Sequence, residues 1–237
     1  PNEEENEFDL PLVSPTFYAP NVSWFNQRLG SEANAMMVAT TGSYGNHAHS
    51  NGISIELFAK GSVLAPDVGK GSSYWHKDHT EYYSRMPAHN TMVVNGISDY
   101  EPMRSHHPFH LENSFPKTGE TPIFDQVTFS NVSFVEPKTK ARQLRFTSLI
   151  KGPSGAGYVV DVFRSRKPGS DGQRHDYFYH NLGDALKVSS NEEILKLIRD
   201  KIYKNFMIFV DANDNGVECG PKYFMEQNRK IEPNVVG

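Results

Sequence analysis

The sequence predicts an all-β protein, an antiparallel sandwich or barrel. Three observations predict it. Short stretches of alternating apolar residues recur along the chain, turn residues separate them, and one segment alone carries a helical period. The strand-like stretches are Ala35–Thr40, Ile53–Ala59, Thr91–Val94, Val127–Val135, Gln143–Ile150, Tyr158–Arg164 and Met207–Val210. In the second of these, Ile53, Ile55 and Leu57 fall on one side, the period of a half-buried strand. The turns between them read as Asn95-Gly96, Lys151-Gly152-Pro153 and the run from Pro168 to Gly172, all residue types that bend a chain. The helical candidate is Glu192–Lys204. Leu195, Ile198 and Ile202 recur there at spacings of three and four, and Ser190 or Asn191 stands ready as a cap.

At 237 residues the chain suits one large β domain. The acidic opening segment reads as a lead-in over residues 1–20, with the sandwich domain over 21–237. No apolar run is long enough to span a membrane as a helix. The formal net charge of -4 argues against a nucleic-acid surface. Cys219 is the only cysteine, so neither a disulfide framework nor a cysteine-rich metal site is available. Aromatic residues make up 12% of the chain and ten histidines cluster along it.

The informative stretch runs from Gly42 to Thr91. It holds Asn46-His47-Ala48-His49, then Asp67-Val68-Gly69, then Ala88-His89-Asn90-Thr91. On a strand, His47 and His49 point to one face. Imidazoles plus a carboxylate form an N/O donor set that suits Zn²⁺ or another first-row divalent ion. The plainer alternative is that such histidines are hydrogen-bonded surface residues and that Asp67 is a turn residue. Between the two motifs lie Tyr74, Trp75, Tyr82, Tyr83 and Arg85, ring-rich enough to line a sugar cleft or to pack inward. Arg104, His106, His107 and His110 form a second His-rich patch, which either touches an anionic sugar or, the favoured reading, is a plain surface loop. Asp211 to Gly216 imitates the start of a calcium loop, but Lys222 stands where that loop needs a glutamate. The Asn-x-Ser sequences at Asn21 and Asn131 matter only in a eukaryotic secretory setting. His175-Asp176 and His180-Asn181 read as structural polar pairs.

Taken together, three ordered pieces resemble the heparinase II/III-like family of polysaccharide lyases. They are the HxH of His47 and His49, the G-x-x-L-x-x-D-x-G run from Gly61 to Gly69, and the A-H-N-T of Ala88 to Thr91. The downstream segments at 161–166 and 175–183 resemble bacterial members as well. The resemblance implies a two-layer antiparallel β-sandwich, normally paired with an N-terminal (α/α) toroid that this chain lacks. It implies that His49, Asp67 and His89 ligate Zn²⁺, and that His47 faces the cleft and assists β-elimination on a uronic-acid polysaccharide of heparan sulfate or alginate type. Tyr83 is the expected catalytic tyrosine, with Asn46, Tyr82 and Arg85 expected to touch substrate. The expected partners are the anionic polysaccharide and the toroid, and the expected location is periplasmic or secreted. Two further readings fit the residues. One is a cupin-like metal-dependent oxygenase or isomerase, against which the aspartate and its long spacing speak. The other is a non-catalytic carbohydrate-binding module.

Overall fold

The computed structural model describes residues 14–31, 34–67, 69, 73–98, 100, 104–153, 157–169 and 173–181. The Met207–Val210 strand, the Glu192–Lys204 helix and the calcium-loop imitation lie outside them. Two antiparallel sheets make the body. The first contains β1 (Thr16–Ala19), β2 (Trp24–Leu29), β3 (Met36–Thr41), β5 (Ser54–Ala59) and β6 (Ser62–Ala65), in the order β1-β2-β3-β5-β6. β4 (Ser43–Tyr44) leaves this sheet and pairs with β8 (His106–His107). The second sheet contains β9 (His110–Phe115), β10 (Val127–Val135), β11 (Arg142–Lys151) and β12 (Gly157–Arg166), in the order β12-β11-β10-β9. β7 (Met92–Val94) pairs with β13 (His175–Tyr177). β1 pairs with β2 through Thr16, so the first sheet begins inside the segment that reads as a lead-in.

The period-two pattern sets which face is buried. Along β10, Thr128, Ser130, Val132 and Phe134 are buried and their neighbours are not. That face meets β2 of the first sheet, and β11 beside it meets β2 and β3. Phe25, Ile53, Met86, Val93, Phe109, Val132 and Phe134 fill one part of the interior; Leu29, Met36, Val38, Ile55, Leu57 and Leu149 fill another. Burying such side chains stabilises by roughly 1.5–3 kcal/mol each. A polar bond crosses between the sheets, where Gln27 Nε2 donates to Thr147 Oγ1 at 2.8 Å, and within the second sheet the Thr147 and Ser130 hydroxyls lie 2.9 Å apart. Polar groups at this depth need such partners.

The tight turns follow their residues. Lys60-Gly61 joins β5 to β6 with both φ angles positive, at 52° and 74°. Asn95-Gly96 ends β7 likewise, at 54° and 69°, and Ile97 N donates to Val94 O at 3.1 Å. Among the described residues no helix is long and apolar enough to cross a membrane. Among the described residues helical structure is confined to short turns, including a π-helical turn over His79–Tyr83 and a 3₁₀ turn over Met86–Ala88.

Candidate metal and sugar site

The site forms where four loops meet beyond the first sheet. Residues 45–50 are a turn and not a strand, which corrects the expectation that His47 and His49 share a strand face. His47 takes a left-handed backbone, φ 63°, at the apex of this turn. The turn is tied down at several points. Ser43 Oγ donates to the His49 carbonyl and accepts from Asn51 N, while Ser50 N donates to Ser84 O at 2.9 Å at the end of the π-helical turn. Gly52 follows at φ 62°, where a Cβ would sit 2.7 Å from Thr91 Oγ1.

His49 and His89 come together with their ring centroids 5.4 Å apart. His89 is 1% exposed, set there by the 3₁₀ turn whose Met86 carbonyl accepts from its backbone N–H. Asp67 arrives from the end of the first sheet, its N–H donating to Glu56 Oε1 at 3.1 Å. Its carboxylate Oδ2 lies 2.8 Å from His89 Nδ1. Burial works against the Asp67 anion, but the adjacent His89 ring and the hydrogen bond outweigh it and hold the carboxyl below its usual range. An ionised carboxylate only accepts, so Nδ1 is the donor and Nε2 is the ring's other nitrogen. That Nε2 is buried with no hydrogen-bond partner among the described residues. The His49 pKa falls to about 4, first through burial and then through the neighbouring His89, so its ring is neutral at neutral pH.

This donor set fits a divalent cation: two imidazoles and an ionised carboxylate, with a buried ring nitrogen, His89 Nε2, facing no hydrogen-bond partner among the described residues. As the side chains stand, Asp67 bonds to His89, and no group of three or more His, Cys, Asp or Glu among the described residues is arranged to grip an ion. The pairing of carboxylate with ring Nδ1 is the one that orients a metal-bound histidine and fixes its tautomer.

Two histidines outside the sequence motifs join the cluster. His79, fully buried in the π-helical turn, has its ring 5.1 Å from that of His49 and 5.1 Å from that of Tyr74. It sits among Lys77, Asp78, Thr80 and Glu81, polar neighbours that give no sign of a buried position. His180 donates from its backbone N–H to Asn90 Oδ1 at 2.6 Å, and the Tyr82 hydroxyl lies 3.4 Å from its Nε2. Burial, then the nearby His89, lowers its pKa to about 4. The pair that reads as structural therefore lies against the site.

The expected sugar contacts divide. His47 and Asn46 are exposed and line an open groove of about 430 Å³ together with Trp24, Tyr44, His49 and Asn51. The ring against His47 belongs to Tyr74, with centroids 5.3 Å apart. Tyr83 packs edge-on against Tyr82 at 5.2 Å. Tyr82 is 3% exposed and turned into a core cluster with Ala88, so the reading of Tyr82 as a surface sugar contact is corrected. Its ring lies where apolar Ala88 and Phe178 demand a partner. Arg85 Nε donates to the Thr80 carbonyl at 2.9 Å and braces the π-helical turn.

One interaction holds this end of the sandwich together. Arg145, fully buried on β11, reaches Asp161 through Nε at 2.9 Å and Nη2 at 2.7 Å. It also donates to the Ile53 and Asn90 carbonyls and, at 2.8 Å, bonds the Tyr177 hydroxyl. Asn90, next to His89, in turn donates to Ile55 O at 2.8 Å and Pro66 O at 3.0 Å. The chain of bonds thus links the second sheet to the segments that carry Asp67 and His89.

Comparison with known proteins shows the family. Residues 14–146 match the family described as Heparinase II/III-like, C-terminal. The chain belongs to the heparinase II/III-like family. Its curated relatives include the endo-acting ulvan lyase of Formosa agariphila, 30% identical over 199 residues, which cover 79% of this chain and 24% of the relative. The chain thus spans about a quarter of that protein's length. The MYG1 protein of Saccharomyces cerevisiae matches a shorter stretch, 38% identical over 61 residues, 24% of this chain and 17% of that protein. Among solved structures, the heparan sulfate lyase HepC of Pedobacter heparinus aligns at 16% identity with a TM-score of 0.35, over 58% of this chain and 22% of that one.

Proposed function

We propose that this chain is the sandwich part of a lyase that cleaves a uronic-acid polysaccharide by β-elimination. It supplies a Zn²⁺ site from His49, Asp67 and His89 and a cleft histidine, His47. The observation that carries the reading is the division of labour within one HxH turn. His49 points back to a buried His89–Asp67 pair, while His47, two residues earlier, stands exposed in the groove against Tyr74.

The chemistry asks for this division. Removing the C5 proton of a uronate places a second negative charge beside its carboxylate. A hydrogen-bond donor at that carboxylate stabilises the enolate-like transition state, and the C4–O bond then breaks to leave an unsaturated sugar. An exposed imidazole serves as such a donor or passes a proton. Bound zinc would supply a rigid anchor for the turn, with His49 and His89 Nε2 among its donors. Asp67 belongs to the same set and now orients His89. Tyr74 is the phenol beside His47. The remaining base and the toroid would come from the rest of a longer protein. The relative's name points to ulvan as substrate, and heparan sulfate and alginate share the uronate that the mechanism needs. A polymeric substrate of this kind meets its enzyme outside the cytoplasm, which goes with a periplasmic or secreted location.

The test uses the longest natural protein that contains this chain, incubated with ulvan, heparan sulfate and alginate. Unsaturated product should appear with at least one of them. His47→Ala should abolish turnover while about one zinc per chain stays bound. Loss of zinc in that variant would mean that the roles of His47 and His49 are reversed, and absence of unsaturated product from every uronate polymer would sink the lyase reading.

A further inference from the structure

The groove that holds His47 has an aromatic shelf that none of the motifs contains. Val22, Trp24 and Tyr44 line it and are 55%, 38% and 47% exposed. Large apolar side chains left open together mark a binding surface more often than scattered ones do. Both rings are held from behind. Phe17 packs edge-on against Trp24 at 6.1 Å, and His106 packs edge-on against Tyr44 at 5.7 Å with the planes at 89°. Their places are set by backbone pairing: Trp24 lies opposite Thr41 across β2 and β3, and Tyr44 opposite His106 across β4 and β8.

The same pairing delivers the His-rich patch to the groove rim. Ala48, between the two histidines of the turn, bridges to Arg104, and both Arg104 and His106 are exposed. The segment that reads as a plain surface loop therefore borders the groove. Asn46 and Asn51 add amide donors and acceptors along its wall. The groove thus offers flat rings and amides side by side, with the backbone of Arg104 bridged to Ala48 on its wall. A pyranose presents weakly positive C–H groups to the negative face of an aromatic ring, while its rim hydroxyls and carboxylate seek donors and cations. At about 430 Å³ the groove has room for sugar units beside the one facing His47.

We propose that Trp24 and Tyr44 form an aromatic subsite that stacks an acidic sugar of the bound polysaccharide next to the unit facing His47, with Arg104 at its carboxylate or sulfate edge. The subsite rests on the lyase reading for its ligand class, and its test is separate. The chain has two tryptophans, and Trp75 is 93% exposed, so Trp75→Phe leaves Trp24 as the sole reporter without touching the groove.

In that variant, acidic tetrasaccharides from ulvan or heparan sulfate should quench Trp24 emission to saturation and should protect Trp24 from oxidation by N-bromosuccinimide. Adding Tyr44→Ala should weaken binding on the order of tenfold, the size of one aromatic contact. Arg104→Gln should weaken it by a similar factor and flatten its salt dependence. Neutral cellotetraose should bind at least about tenfold more weakly than the acidic sugars. Unchanged emission and no protection with either acidic sugar at millimolar concentration overturns the subsite. So does an unchanged Kd in the Tyr44→Ala protein, checked as folded by circular dichroism, or equal binding of cellotetraose. Turnover in the parent enzyme with no sugar at Trp24 overturns the subsite alone. Sugar at Trp24 with no unsaturated product overturns the lyase reading alone.

Discussion

Replacing Arg145 by methionine tests the bond chain that ties the second sheet to the Asp67 and His89 segments. Arg145 is fully buried, and its partner Asp161 has a side chain only 20% exposed. The substitution strands that carboxylate, which keeps only the Tyr177 hydroxyl at 2.7 Å, and takes the guanidinium donor from the Ile53 and Asn90 carbonyls. Breaking a buried ion pair from one side costs about 3–5 kcal/mol, and a buried carbonyl without a donor adds roughly 1 kcal/mol or more. The methionine returns some apolar burial, so the net loss should be about 4 kcal/mol, a large share of the roughly 5–15 kcal/mol that holds a typical domain together. Urea unfolding, followed by both fluorescence and circular dichroism, measures it. Arg145→Met with Asp161→Leu removes both charges and should regain at least about 2 kcal/mol over the single variant. A single-variant loss under about 1 kcal/mol, or a double variant no better than the single, would refute the argument that this pair is energetically coupled and buried.

Other outcomes follow from the same geometry. Asp67→Asn should lower zinc affinity by about 10–100-fold, because it removes a charged donor and alters the grip on His89 Nδ1; competition against a chelator reads this directly. Gly52→Ala should destabilise by about 1–3 kcal/mol, since it forces a side chain into the left-handed region 2.7 Å from Thr91 Oγ1, and a shift of the urea midpoint would show it. Acid should destabilise the fold before the carboxylates titrate. His49, His107 and His180 each drop to about 4, chiefly through burial, so between pH 6.5 and 4 the unfolded chain binds more protons than the folded one. Stability should fall by at least about 2 kcal/mol from pH 7 to pH 5 without metal, and His107→Gln should flatten the slope.

The sequence by itself determined the all-β class and most of the strands. Val127–Val135 coincides with β10, and the stretches read at Gln143–Ile150 and Tyr158–Arg164 lie within β11 and β12. Periodicity two and turn chemistry are local properties, and a strand that buries one face must display them in its own residues. The three motifs likewise announced His47, His49, Asp67 and His89 as a group. Tertiary structure decided the rest, because burial and cross-chain pairing leave no local trace. Nothing near His79 in the chain says that it packs against His49, and nothing around Tyr82 and Tyr83 says that Tyr74 is the ring that meets His47. The left-handed apex at His47, which leaves that ring exposed while His49 packs against His89, lies in a turn tied locally by Ser43 and across the fold by Ser84. Pairing of β4 with β8 carried Arg104 and His106 to the groove, a contact between residues some sixty positions apart in sequence. Such contacts depend on how sheets stack and where loops close, and a one-dimensional pattern records neither.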